Sequence, residues 1–263
     1  MNVPQYQFIP TYNTISKKYE IDLCHNENIC ELAKYYIYFI LDDSGSMNSR
    51  TENGTRWKEL HIMVQKLTEI CNSINQYGVN ISFLNKSETY NITNYNDIYT
   101  LLSFDPCGST PTCERLQTIL NIPSNLPKLI VLFTDGCPDG GNVGLTNFYN
   151  LLKTRDAEKN RITIIACTDN DQDVEFLNRL DKEIQYIDVV DDYKSEKLEI
   201  LKKQGSSFPF SYGDYLIKSL LSTINPIYDN FDEKKIEIIE DQYGNRKMQY
   251  CYNNHSNDSC IIL

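Results

Sequence analysis

The sequence is short of the features that mark several large classes of protein. Basic residues are outnumbered, 25 Lys and Arg against 36 Asp and Glu, for a formal net charge of −11. Binding DNA or RNA through phosphates needs clustered Lys and Arg that release counterions, so no nucleic-acid partner is expected. No apolar run is long enough to span a bilayer. Residues Met1 to Lys18 contain Pro4, Gln5, Gln7, Pro10 and Asn13, with no uninterrupted apolar stretch behind a basic start. No secretory signal is therefore expected, and the chain reads as cytoplasmic. Histidine is scarce, at three residues, and the cysteines lack paired C-x-x-C spacing, which leaves little from which to build a structural zinc site. Nine cysteines in a chain with no export signal favour free thiols over a disulfide framework. A G-x-S-x-G elbow, a phosphate loop ending in G-K-[ST] and a G-x-G-x-x-G turn are all missing, so neither nucleophilic catalysis nor nucleotide binding has a motif to support it.

What is there is an alternation of buried strands and amphipathic helices. Tyr35 to Ile40 is aromatic and β-branched without polar alternation, the pattern of a strand covered on both faces. Helical spacing follows through Trp57, Leu60, Met63, Val64, Leu67, Ile70 and Ile74, and Tyr77-Gly78 closes it. Further strands are predicted at Val79 to Leu84, Lys128 to Phe133, Arg161 to Cys167 and Ile184 to Val190. Helices are predicted around Leu116 to Leu120, Phe148 to Leu152, Val174 to Leu180 and Lys197 to Leu201, with a last one through Tyr215, Leu220 and Ile224. The alternation predicts an α/β fold, a doubly wound and mainly parallel sheet with helices on both faces. Residues 1–33 read as an N-terminal extension, 34–228 as the domain and 229–263 as a tail.

In open α/β sheets, ligands bind beyond the carboxyl ends of the strands, so polar residues there are the first candidates for function. Asp42, Ser44 and Ser46 lie at such an end. Their D-x-S-x-S spacing brings a carboxylate and two hydroxyls to one loop, with Gly45 expected to let the backbone fold back closely. Hard oxygen donors of this kind suit Mg²⁺, Mn²⁺ or Ca²⁺. Gly108-Ser109-Thr110-Pro111 supplies another hydroxyl before a helix, and Leu129 to Phe133 leads into Thr134, Asp135 and Gly136, a carboxylate at a second strand end.

With these three elements in this order the chain resembles the von Willebrand factor type A family, whose metal-ion-dependent adhesion site is built from D-x-S-x-S, Thr and T-D-G. Arg56-Trp57-Lys58-Glu59 after the metal loop and Phe83-Leu84-Asn85 make it most similar to stand-alone intracellular members from microbial eukaryotes. The resemblance, over Tyr35 to Ile224, implies six strands and a cation held by Asp42, Ser44, Ser46, Thr110 and Asp135. The hydroxyls would bind directly and the aspartates often through water. It further implies a coordination position left for an Asp or Glu carboxylate of a protein partner, and an ion affinity switched by movement of Thr110. The function expected is cation-dependent protein binding without catalysis. The alternatives are a metal-assisted hydrolase using the same carboxylates, and a structural protein with a fold-stabilising ion.

Other signals carry less. Asp169, Asp171 and Asp173 imitate a calcium loop, but Val174 and Leu180 stand where its glycine and closing glutamate belong. Cys107, Cys113 and Cys137 are candidates to gather near the metal edge, and His61 reads as a packing residue. The ending Cys260-Ile261-Ile262-Leu263 matches a prenylation box, which makes Cys260 a lipidation candidate and implies peripheral attachment to the cytoplasmic face of a membrane.

Overall fold

The apolar runs Tyr36–Leu41 and Lys128–Thr134 are buried along nearly their whole length because helices lie on both sides of them. Residues 9–168 and 171–251 are described by the computed structural model. In chain order come α1 (Ile9–Lys18), β1 (Tyr36–Leu41), β2 (Arg50–Thr51), β3 (Gly54–Thr55), α2 (Arg56–Asn72), β4 (Val79–Phe83), β5 (Thr89–Ile92), α3 (Asp97–Leu101) and α4 (Thr112–Leu120). There follow β6 (Lys128–Thr134), α5 (Gly141–Thr154), β7 (Asn160–Ala166), α6 (Asp171–Glu183), β8 (Ile187–Val190), α7 (Tyr193–Gln204), α8 (Tyr212–Leu221), α9 (Pro226–Asp229), β9 (Ile236–Glu240) and β10 (Arg246–Tyr250).

The main sheet has six strands in the order β5-β4-β1-β6-β7-β8. Side-chain alternation divides its residues between two cores. Ile37, Phe39, Leu41, Leu129, Val131 and Phe133 face one core with the buried stripes of α2 and α8, while Tyr38, Ile40, Ile130 and Leu132 face the other with residues of α4, α5 and α6. The Thr55 hydroxyl caps α2 by accepting from the Lys58 amide, and Ser211 with Asp214 forms a reciprocal capping box on α8.

The expected mainly parallel, doubly wound sheet is corrected to a mixed one. β4, β1, β6, β7 and β8 are parallel, but β5 runs antiparallel to β4, and β2–β3 and β9–β10 form two further antiparallel pairs. The physical reason is loop length. Only residues 84–88 separate β4 from β5, whereas a parallel return needs a crossover of a dozen residues or more. The polar Thr89-Tyr90-Asn91 of β5 is exposed, so its sequence lacks the apolar run that marks the other strands.

The described parts of both flanking segments are built into the structure. Tyr12, Ile15, Ile21, Ile29 and Leu32 join the same core as α2 and α8. His25 is buried between the Asp214 carboxylate and the Tyr228 hydroxyl, 3.0 Å from each. Residues 236–250, within the segment that reads as a tail, form a hairpin whose Arg246 pairs with Asp22 and Lys247 with Glu27. Among the described residues no helix is long and apolar enough to cross a membrane. Asp169 of the calcium-loop imitation and Cys260 both lie outside the described residues, and nothing supports the prenylation and membrane attachment expected from Cys260.

Candidate functional site

β1 pairs in parallel with β4 on one side and β6 on the other. The chain runs from β1 toward β4 and from β6 toward β7, so the connections after these two neighbouring strands depart in opposite directions from their carboxyl ends. Ligands of open α/β sheets bind at such switch points. Asp42, Asp43 and Ser44 continue β1 and are buried, as are Thr134 and Asp135 at the end of β6.

Direct hydrogen bonds join four of the five predicted metal residues. Asp42 Oδ1 accepts from the Ser44 amide at 2.9 Å, and Asp42 Oδ2 accepts from Thr134 Oγ1 at 2.8 Å. The Ser44 and Ser46 hydroxyls are 2.9 Å apart, and Ser46 Oγ donates to Asp135 Oδ1 at 2.9 Å. Burial raises the Asp42 pKa, the Ser44 and Thr134 donors work against that rise, and the neighbouring Asp135 charge adds to it.

Thr110 is placed by its backbone. Its amide donates to Asp139 Oδ2 at 2.9 Å, and its carbonyl accepts from the Asp139 amide at 3.0 Å. This reciprocal pair ties its loop to the one that follows β6. The same loop is tied to the serine loop by the Gly45 amide, which donates to the Gly108 carbonyl at 3.2 Å. Thr110 is thus on a third loop at the same edge of the sheet, outside the hydrogen-bonded chain of the other four.

The glycine that this arrangement requires is Gly108 and not Gly45. A Cβ on Gly45 would meet only the Gly108 carbonyl, at an ordinary 3.8 Å, and its φ is not positive. Gly108 has φ +113°, and a Cβ there would fall 2.5 Å from Asn85 Oδ1. Asn85 itself holds two loops together, because its Nδ2 donates both to Asp43 Oδ1 at 3.0 Å and to the Ser109 carbonyl at 2.9 Å.

Arg56 is a residue of the candidate site that the motif did not reveal. Its Nη1 donates to Asp135 Oδ2 at 2.7 Å and its Nη2 to Thr168 Oγ1 at 2.8 Å. A signal was present. Arg56 is the first residue of α2, where the helix dipole disfavours a cation, so a guanidinium there needs a compensating acid. Cys167, whose thiol pKa is raised by burial and then by Asp42 and Asp135, lies behind the two aspartates. Among the described cysteines, Cys107 and Cys137 are exposed and Cys113 is partly buried.

The donor set fits a hard cation, since the five motif residues all offer oxygens, with the Arg56 guanidinium already on one side of Asp135. Each of the four carboxylate oxygens of Asp42 and Asp135 already accepts a protein hydrogen bond. Each of those oxygens keeps a further lone pair, and the hydroxyls of Ser44, Ser46 and Thr110 add neutral oxygen donors beside them.

No family model matches the chain, and no curated protein matches it. Among solved structures it is similar to the PilB minor pilin from Streptococcus sanguinis, with 14% identity and TM-score 0.44 over 75% of this chain and 62% of that one. A point mutant of that pilin gives 14% identity and TM-score 0.45 over 76% of this chain and 62% of the other. Proximal thread matrix protein 1 from the mussel byssus gives 14% identity and TM-score 0.40 over 62% and 46% of the two chains. The chain spans less than two thirds of the length of each, and likenesses this distant carry no function across. The expected membership of the von Willebrand factor type A family is corrected: no family model matches and the sheet is mixed, so the candidate site stands on its own geometry alone.

Proposed function

We propose that the chain is a divalent-cation-dependent protein-binding module. In this reading Asp42, Ser44, Ser46, Thr110 and Asp135 hold Mg²⁺, or Mn²⁺ or Ca²⁺, and the ion captures an Asp or Glu carboxylate of a partner. The observation that supports it is the line of oxygens running from Asp42 through Ser44 and Ser46 to Asp135, which spans the switch point between β1 and β6. Bound there, the ion would supply a positive charge at the carboxyl ends of β1 and β6. The protein's part is to position neutral hydroxyls toward it and to keep the aspartates behind them, so that much of the ion's charge is left for an external acid.

Binding is favoured over metal-assisted hydrolysis by the engagement of Asp42 and Asp135. A general base needs an oxygen positioned to take a proton from water, and both carboxylates are turned to protein donors. Calorimetric titration of the chelator-treated chain with Mg²⁺ and Mn²⁺ tests the reading, followed by titration with an Asp-containing peptide in the presence of each ion. Cation binding that Asp42→Ala weakens, together with peptide binding that needs the cation, is expected. A chain that takes up neither ion at millimolar concentration does not work this way.

A further inference from the structure

A second group of carboxylates lies at the far edge of the sheet, away from the switch point. Asp181 of α6, Asp188 of β8 and Asp229 of α9 each offer an oxygen, and these oxygens lie within 4.8 Å of one another. Three segments distant in sequence thus deliver like charges to one place. Among the described residues, none of the three forms an ion pair within 4 Å. The nearby Lys218 places its ammonium on Glu196 at 2.7 Å. Asp232 adds to the acidic surroundings of Asp181 and Asp229, and Glu233 to those of Asp229.

Two buried oxygens there lack partners. Asp188 is 4% exposed and its Oδ2 has no hydrogen bond. Thr163 is fully buried and its Oγ1 has none either. Register places Thr163 of β7 directly beside Asp188 of β8, on the same face of the sheet. A buried polar atom without a partner costs roughly 1–3 kcal/mol, and both of these would gain one from a cation held beside the carboxylates.

We infer that Asp181, Asp188 and Asp229 form a second cation site, independent of the one at the switch point, that takes Ca²⁺. Three oxygens within 4.8 Å of one another share a centre no more than about 2.8 Å from each, a few tenths of an ångström outside the usual calcium–oxygen distance. Calcium tolerates irregular oxygen cages and completes its shell with water, whereas Mg²⁺ demands a tight octahedron. The ion would tie α6 and α9 to the edge strand β8.

The test uses the full chain carrying Asp42→Ala, which disables the switch-point site, and titrates it with CaCl₂ by calorimetry after chelator treatment. Calcium binding is expected to persist in this variant and to weaken about tenfold or more when Asp181→Asn and Asp229→Asn are added. Thermal denaturation gives a second readout. Calcium should raise the midpoint of the Asp42→Ala chain. The two Asn substitutions should raise the midpoint in chelator, by relieving repulsion, and abolish the calcium response. Circular dichroism confirms that each variant is folded. A folded Asp42→Ala chain that binds no calcium at millimolar concentration overturns the inference, as does binding that the Asn substitutions leave unchanged.

Discussion

Arg56 Nη1 lies 2.7 Å from Asp135 Oδ2, with the arginine side chain 15% exposed and the aspartate 2%. The candidate metal centre therefore contains a cation of its own. It balances Asp135, while Asp42 remains with only neutral donors around it.

Removing this built-in charge should separate two effects. Arg56→Met leaves Asp135 buried and uncompensated, and loss of one partner from a buried pair costs roughly 3 kcal/mol. Urea denaturation in chelator should show that loss, and Mg²⁺ should recover part of it because the ion meets a more negative site. Equal destabilisation with and without Mg²⁺ would mean that Arg56 and the ion do not share Asp135.

Ser46→Ala removes the hydroxyl that connects Ser44 to Asp135. One lost hydrogen bond in a partly exposed loop costs about 1 kcal/mol, so the fold should survive. Mg²⁺ affinity measured by calorimetry should fall far more than stability does. A variant that binds the ion as tightly as the parent excludes Ser46 as a ligand.

Gly108→Ala should act on Thr110 without touching it. The added Cβ meets Asn85 at a backbone angle that L side chains rarely adopt, and Asn85 is the group that anchors Asp43 and Ser109. Crystallography of the variant should show the Thr110 loop displaced from the serine loop. Gly45→Ala, which meets no close atom, is the control and should leave the loops in place.

The acidic edge should make stability depend on pH. Burial first, and neighbouring carboxylates second, raise Asp181 to about 7 and Asp229 to about 6. Burial likewise raises Glu196 to about 7 against the opposing pull of Lys218. Acids whose folded pKa lies above the unfolded value keep more protons when folded, so their contribution to stability falls as pH rises from about 4 to about 7. His61, lowered to about 4 by burial, acts in the opposite direction as pH falls below about 6.5. Comparing the parent with Asp181→Asn in chelator removes that background. The urea midpoint of the parent, relative to the variant, should drop between pH 5 and pH 8, and parallel curves would refute the assignment.

Strands buried on both faces were legible because their apolar runs are uninterrupted, as in Tyr36–Leu41 and Lys128–Thr134. The stripe from Trp57 to Ile70 likewise gave away α2. β5 and the hairpin β9–β10 were not, since Thr89-Tyr90-Asn91 and the mixed charges of 236–250 take their strand form from a neighbour's hydrogen bonds and not from their own pattern. At the site, short-range spacing revealed Asp42, Ser44, Ser46 and Asp135. Asn85, Asp139 and Arg56 act across long sequence separations, and only the folded chain brings them to the loops they hold.

The burial of His25 against Asp214 bears on where this protein tolerates being cut. Asp214 accepts from the Asp22 amide as well as from the imidazole, and it caps α8 through the Ser211 amide. A fragment trimmed to 34–228 would strip that carboxylate of both N-terminal partners and uncover the faces of α2 and α8 that Tyr12, Ile15 and Ile29 seal. Limited proteolysis should accordingly yield no stable piece of that length, and the leading segment should unfold together with the sheet it shields.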